Sequence, residues 1–405
     1  METVLISFIG KGRTSGNGSG YIKTKYKFDD KYTSDETAFF GSALFTYLKS
    51  KKHNIDKWFI FGTKQSSWSE LVSLLDSNQR DKEVDDLYYK VFEEEQKGIS
   101  DKILNKWQEC LNKYIESICL IKVDPMDFKV YANMLLELLP EDEISIIFDM
   151  THAFRYMPVL MAFSLMYVNC FKNFKGIDVY YGALEMGTND EKPVVKIDFI
   201  NQLFSLTTSY EIYKNSGYFP SLLKNMGVDD SEETYFKLEM NRSIKREIED
   251  LIKKIEEEEL ENGEGYIKKA ASNLKNEFNK MNKLKYLDER MLERANFFYE
   301  KKQYLIAMTL LYEAILVKAE RVFEIKRGQN ETRNDHNSRV KRVKEEIKYK
   351  LNKNLKDTFK NLEYARNSAV HGEEAKCTQN ILECKNKFDE LFSNSKKVYN
   401  SIPEN

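Results

Sequence analysis

The chain has 405 residues, of which 41% are apolar and 13% aromatic, a balance that excludes a disordered protein and leaves room for two or three cores. Its 63 basic and 65 acidic residues nearly cancel to a formal charge of −2, which excludes nucleic-acid binding through a global positive field and leaves that task to local patches. Five cysteines, Cys110, Cys119, Cys170, Cys377 and Cys384, form no C-x-x-C pair and have no histidine at ligand spacing, so no metal site and no disulfide framework is expected.

Met1-Glu2-Thr3 runs straight into a strand-like segment without a basic region, so no signal peptide is expected, and with the cysteine usage this points to a cytoplasmic protein. The strand candidates are 3–9, 57–61, 119–123, 144–148, 177–181 and 194–200. Helical spacing occupies 35–50, 66–76, 127–138 and 153–172. Strands alternating with helices predict an α/β, Rossmann-like domain with a mainly parallel sheet covered on both faces. Residues 81–117 read as a charged helical insertion on it. The longest apolar stretch, 157–171, falls short of the ~18 residues of a membrane span, so a buried helix and no membrane partner are expected.

From about Asn201 strand-like runs disappear. Residues 229–264 are dense in Glu and Lys and end at Asn262-Gly263-Glu264-Gly265, as a solvated helical connector would. The remainder predicts an all-α domain with helices over 287–300, 304–325, 340–351, 355–365 and 380–399. The stretch 304–323 is apolar around most of its circumference, as in the central helix of a bundle. Glu313 lies inside it and requires a partner; holding Arg366 and facing a loop are both open.

Near the end stands Arg366-Asn367-Ser368-Ala369-Val370-His371-Gly372. Metal-free RNA cleavage uses the 2′-hydroxyl as nucleophile and needs a base, an acid and positive charge on the phosphorane. His371 can move the proton, Arg366 can clamp the phosphate and Asn367 can donate a further hydrogen bond. One histidine cannot fill both proton-transfer roles at once, and a twofold dimer would supply the second. A five-residue step on a regular helix turns about 140°, so the pair is expected to need a break, with Asn367 or Ser368 capping a new helix. Spacing alone favours a polar helix cap with a solvated histidine, since R-x4-H is common by chance. Arg327, Arg333, Arg339, Lys341, Arg342 and Lys344 cluster around a loop at 328–337 and suit either an RNA strand or a solvated surface. His336 in that loop has no visible partner.

In open parallel sheets ligands sit beyond the carboxyl ends of the strands. Three polar loops fall there: Gly10, Lys11, Gly12, Thr14 and Ser15 after the first strand; Gly62, Thr63, Lys64, Gln65 and Ser66 after the second; Asp149, Thr151, His152 and Arg155 after the fourth. Glycines let backbone N–H groups approach phosphates, hydroxyls add hydrogen bonds, and Lys11, Lys64 and Arg155 add charge. The Gly10 loop matches neither a dinucleotide fingerprint nor a Walker loop.

The segment Asp149-Met150-Thr151-His152-Ala153-Phe154-Arg155 closely resembles the D-x-T-H-G-F-R signature of CRISPR-associated CARF-domain proteins. The resemblance extends to 4–10, 21–26, Gly62-Thr63-Lys64 and Tyr180-Tyr181-Gly182-Ala183, and covers roughly 1–205. Similar proteins often carry a C-terminal HEPN domain with an R-x4–6-H ribonuclease signature, which Arg366 to His371 fits. One residue departs: Ala153 stands where the pattern has glycine, and its methyl group is expected to narrow the approach of a ligand.

The resemblance implies a CARF domain over 1–205, a connector over 206–284 and a HEPN ribonuclease over 285–405. It implies a type III CRISPR defence enzyme in which a cyclic oligoadenylate, tetra-adenylate rather than hexa-adenylate, switches on cleavage of single-stranded RNA, with no cofactor and no metal. Thr14, Ser15, Lys64, Gln65, Thr151, His152 and Arg155 would contact the ring while Asp149 orders the loop, and a homodimer would share one ring. Two further readings are a ligand-responsive nucleic-acid-binding regulator without nuclease activity and a ring nuclease that degrades its own ligand.

Overall fold

The computed structural model describes residues 2–12, 21–115, 117–187, 191–261, 265–325, 332–372 and 377–403. It forms two compact units, Met1–Phe204 and Ser205–Asn405.

The first unit is built on one eight-stranded sheet. Its strands are β1 (Glu2–Ile9), β2 (Lys25–Asp29), β3 (Tyr32–Thr33), β4 (Lys57–Gly62), β5 (Ile118–Lys122), β6 (Ile144–Asp149), β7 (Phe174–Gly182) and β8 (Glu191–Lys196), in the order β3-β2-β8-β7-β6-β1-β4-β5. The strands from β7 to β5 are mutually parallel, β8 runs antiparallel to β7, and β2 pairs parallel with β8 and antiparallel with β3. β1 is central and therefore buried on both faces, which explains its apolar run, broken only by the buried Ser7. Leu5 and Ile9 enter the core beneath α1 (Phe40–Ser50), α2 (Lys82–Lys97) and α3 (Asp101–Asn112), whereas Val4, Ile6 and Phe8 pack with α4 (Val130–Leu138) and α5 (Tyr156–Val168) on the other face. The α/β architecture and the helical insertion, α2 and α3, follow the alternation seen in the sequence.

Three local expectations are corrected. The helical pattern over 66–76 is a 3-10 segment, Trp68–Leu74, because Trp68 is turned inward to donate through Nε1 to the Thr63 carbonyl at 3.0 Å. The apolar run 194–200 splits between β8 and a following helix. The β2–β3 hairpin was not anticipated, since Lys25 and Lys27 interrupt the apolar pattern of β2, and β3, the edge strand, is only two residues long, a short edge of the kind that resists further pairing.

The described residues of the second unit are helical: α6 (Phe199–Ser216), which begins just before it, then α7 (Pro220–Asn225), α8 (Glu232–Glu239), α9 (Lys245–Glu261), α10 (Gly265–Lys283), α11 (Leu287–Glu300), α12 (Tyr304–Val322), α13 (Arg333–Lys350), α14 (Lys353–His371), α15 (Gln379–Leu382) and α16 (Lys385–Ser401). Helices α6 to α10 enclose a core around Phe219, Leu223, Leu274 and Phe278. A second core gathers around α12, with Leu311, Ile315, Phe359 and Phe392. The glycine break at 262–264 lies outside the described residues. Among the described residues no helix is long and apolar enough to cross a membrane.

Candidate functional site

β6, β1 and β4 are neighbours and parallel, so the loops leaving their carboxyl ends open side by side. Hydrogen bonds knit two of them together. Ser67 donates its amide to the Gly10 carbonyl at 2.9 Å, and its hydroxyl accepts from the Gly12 amide at 2.6 Å. Within the second loop the Thr63 amide donates to Ser66 Oγ at 2.8 Å, so Ser66 is buried and acts on its own loop. Lys11, Lys64, Gln65 and Arg155 are exposed along this edge, and Gly10, Gly12, Thr63 and Thr151 are partly so; Gly62 is buried, and a Cβ there would collide with Trp68 and Ile9. Thr14 and Ser15 lie outside the described residues.

The third loop is ordered by Asp149. Its Oδ1 accepts from the Thr151 amide at 2.8 Å, and Thr151 Oγ1 in turn accepts from the Gly182 amide at 2.8 Å, tying the loop to β7. Asp149 is wholly buried, and burial pushes its carboxyl up to about 7. His152 turns inward: Nε2 accepts from the Phe40 amide at 3.0 Å, and burial lowers its pKa to about 4. A neutral ring with its proton on Nδ1 therefore caps the start of α1, occupying the nitrogen that a ligand contact through Nε2 would need.

Ala153 adopts φ +80°, in the left-handed region that disfavours a Cβ. That backbone requirement accounts for glycine in the signature, and the alanine methyl adds backbone strain at this position. The strain is on the order of 1 kcal/mol, so Ala153→Gly is expected to raise unfolding stability by about that amount, read as an increased urea midpoint with unchanged slope. A lowered midpoint would contradict it.

In the second unit Arg366, Asn367 and His371 all lie on α14, a continuous helix capped at its start by Asn352, whose Oδ1 accepts from the Leu355 amide at 3.0 Å. The expected break at Asn367-Ser368 is absent. The helix stops after His371 because Gly372 adopts φ +67° and donates its amide to the Ser368 carbonyl at 3.0 Å. The pair meets all the same: Arg366 Nη1 approaches His371 Nε2 at 3.2 Å and Asn367 Oδ1 at 3.1 Å, since the long arginine reaches along the last turn to the helix end.

Arg366 Nη2 donates to Glu313 Oε1 at 3.4 Å, and the guanidinium lies over the Tyr312 ring at 5.4 Å. Of the two partners left open for Glu313, the arginine is the one observed. Burial pushes the Glu313 carboxyl above its ordinary value, and Arg366, Lys344 and His336 pull it back. Because arginine only donates, the contact assigns Nε2 of His371 as acceptor, a lone pair facing the group that would hold a phosphate. His371 is exposed while Arg366 is largely buried. This is a proton acceptor beside an anchored cation.

The basic cluster upstream is helical from Arg333 onward: Thr332 caps α13 in a reciprocal box with Asp335. Arg327 lies outside the described residues. Arg339 is buried and paired with Glu320, and its Nη2 contacts His336 Nδ1 at 2.8 Å, giving that histidine the partner its sequence did not reveal. Lys344 and Lys348 bind Glu363 at 2.8 and 3.3 Å, which leaves Arg333, Lys341 and Arg342 as the exposed cations. Among the described residues no group of three or more His, Cys, Asp and Glu is arranged to hold a metal.

Residues 4–185 match the family described as the CARF domain of the CRISPR system endoribonuclease Csx1. The CRISPR-associated protein MJ1674 of Methanocaldococcus jannaschii is 26% identical over 359 residues, covering 78% of this chain and 54% of that protein. The chain thus spans about half the length of that curated relative. Among solved structures, Enterococcus italicus Csm6 bound to cyclic hexa-2′-fluoro-hexa-dAMP aligns with a TM-score of 0.37 and 9% identity over 99% of this chain and 94% of that one. The region that matches the Csx1 CARF domain family, residues 4–185, is the one that carries the parallel sheet and the Asp149 to Arg155 loop at its carboxyl edge.

Proposed function

We propose that this chain is a single-stranded RNA endoribonuclease of type III CRISPR defence, switched on by a cyclic oligoadenylate bound at the carboxyl edge of its sheet. The observation that carries the nuclease reading is the contact of His371 with an arginine anchored by Glu313, the arrangement that 2′-hydroxyl attack on a phosphodiester requires. Arg366 clamps the scissile phosphate with its planar fork, His371 Nε2 takes or returns the proton, and the Asn367 amide adds a hydrogen bond. The reaction balances without a metal: the 2′-oxygen bonds to phosphorus, the 5′-oxygen leaves with a proton, and a 2′,3′-cyclic phosphate remains.

One histidine supplies one proton-transfer group, so a second copy of the motif completes the site. A partly exposed apolar helix supports pairing of two copies. Met157, Met161, Leu165 and Val168 of α5 face the core, while Val159, Phe163, Tyr167 and, just beyond it, Phe171 are 50–64% exposed at four-residue steps. A helix apolar all round is one that expects cover on both sides. Because α5 follows the Asp149 loop, pairing there sets two ligand edges beside each other, each offering Lys11, Lys64, Gln65, Thr151 and Arg155 to half of one ring. Cyclic tetra-adenylate is the favoured activator and cyclic hexa-adenylate the alternative. The protein works in the cytoplasm.

End-labelled RNA incubated with protein, activator and EDTA is expected to yield fragments ending in 2′,3′-cyclic phosphate, at the rate found without chelator. Fragments with 3′-hydroxyl ends, or loss of cleavage in EDTA, would overturn the reaction assigned here.

A further inference from the structure

The insertion does more than cover the sheet, because it reaches into the ligand edge at three places. Glu95 of α2 is 1% exposed; its Oε1 accepts from Tyr21 Oη at 2.8 Å and Ser69 Oγ at 2.6 Å, and its Oε2 from the Ser69 amide at 2.9 Å. Gln96 donates to Tyr21 Oη at 3.0 Å. Beyond α2, the Ile99 amide donates to the Lys64 carbonyl at 2.9 Å, and Trp107 Nε1 of α3 donates to the Trp68 carbonyl at 2.9 Å.

These bonds bear on both loops at once. The Tyr21 ring lies so close to Gly12 that a Cβ there would fall 2.4 Å from the ring, so fixing Tyr21 fixes Gly12. Ser69 belongs to the 3-10 segment that follows Ser67, the residue joining Gly10 and Gly12 to the second loop. One buried carboxyl group therefore lies between the segments leaving β1 and β4.

We infer that Glu95 is a positioning residue for this edge: its carboxylate, through Tyr21 and Ser69, holds the Gly10–Gly12 and Thr63–Ser67 backbones in register and so sets affinity for the cyclic oligoadenylate, an inference that rests on the ligand reading proposed above. All three groups bonded to Glu95 are donors, and only the ionised carboxylate accepts from all of them without presenting a proton of its own. Burial pushes the Glu95 carboxyl up to about 7. The ionisable groups acting on it from the surrounding elements are Glu70 of the 3-10 segment and Tyr21, with Tyr88 on its own helix; Lys23 faces Glu70 and Arg80 faces Tyr88. The clamp therefore tightens as pH rises through neutrality.

A merely structural role behaves differently. Ionising a buried carboxyl lowers overall stability, so binding limited by stability would weaken at high pH, whereas the clamp makes affinity rise there. The test uses the full chain with cyclic tetra-adenylate and cyclic hexa-adenylate as probes, measuring Kd from about pH 6 to 8 for wild type, Glu95→Gln and Tyr21→Phe, with amide hydrogen exchange over 10–12 and 63–67 read in parallel. Glu95→Gln places an amide donor against donors and is expected to weaken binding about tenfold at pH 8, to remove the rise in affinity with pH, and to speed exchange in both segments. Asp149 titrates in the same range in wild type and variant alike, so the difference between the two profiles belongs to Glu95. Tyr21→Phe removes one of the three bonds to Glu95, together with the Gln96 contact, and is expected to fall between them. If wild type binds a ring and Glu95→Gln binds it with the same Kd and pH profile, the positioning role is overturned. If wild type binds no ring, the ligand reading fails with it; unchanged exchange in the two segments would overturn the clamp by itself.

Discussion

Replacing His371 with alanine is expected to lower RNA cleavage by roughly 10²–10⁴-fold, the range that a positioned general acid–base group contributes. Binding of the cyclic oligoadenylate should be unchanged, since His371 and the ligand edge belong to different units. Arg366→Lys tests the other half of the pair. Lysine keeps the charge but loses the planar fork that contacts His371, Asn367 and Glu313 together, so it should fall well short of rescue. Stopped or quenched single-turnover assays with activator in excess would read both. A His371→Ala variant that cuts RNA at the wild-type rate would remove this residue from the reaction.

The second large effect is on stability. Asp149 and Glu95 are buried, with carboxyl pKa values pushed up to about 7 from ordinary values of 3.8 and 4.5. A raised acid binds its proton more tightly in the folded state, so its contribution is complete below the unfolded value and is lost as pH rises through the folded one. His152, lowered to about 4 from 6.5, acts oppositely and favours the folded state above its unfolded value. Between about pH 5.5 and 8 the two carboxyls lose more than the histidine regains, a net loss on the order of 3 kcal/mol and a fall in Tm of roughly 6–10 °C for a unit of this size. Calorimetry of the full chain at the two pH values would show it. Asp149→Asn removes roughly 2 kcal/mol of that loss and should flatten most of the dependence; a wild-type transition that rises with pH would contradict the burial of these groups.

Much of the fold was legible because central parallel strands leave an unmistakable apolar run, as 4–9 and 144–148 do. The β2–β3 hairpin was not, since lysines interrupt β2 and a two-residue edge strand carries no such signal. The three loops could be placed beyond the strand ends, but the inward turn of His152 could not, because its acceptor role depends on a backbone amide at Phe40, far away in sequence. Ala153 was marked as a departure from the signature, yet only the backbone angle revealed strain as its consequence. Helical periodicity argued that Arg366 and His371 diverge; it describes Cα directions, and a long side chain at a helix end escapes it. Glu95 was missed altogether. A glutamate in a run of three, Glu93-Glu94-Glu95, reads as solvated surface until the helix is seen to press that one residue against Tyr21 and Ser69.

The central claim is that a ring bound to the first unit turns on cleavage by the second. Such a switch requires the ligand to bind the active arrangement more tightly than the resting one. Fluorogenic single-stranded RNA turnover, measured with wild-type and His371→Ala protein over a titration of cyclic tetra-adenylate or cyclic hexa-adenylate, addresses it directly. The account predicts negligible turnover without ring, saturable activation of wild type by one ring size, and none for the variant; turnover indifferent to every ring, or equal in both proteins, would contradict it.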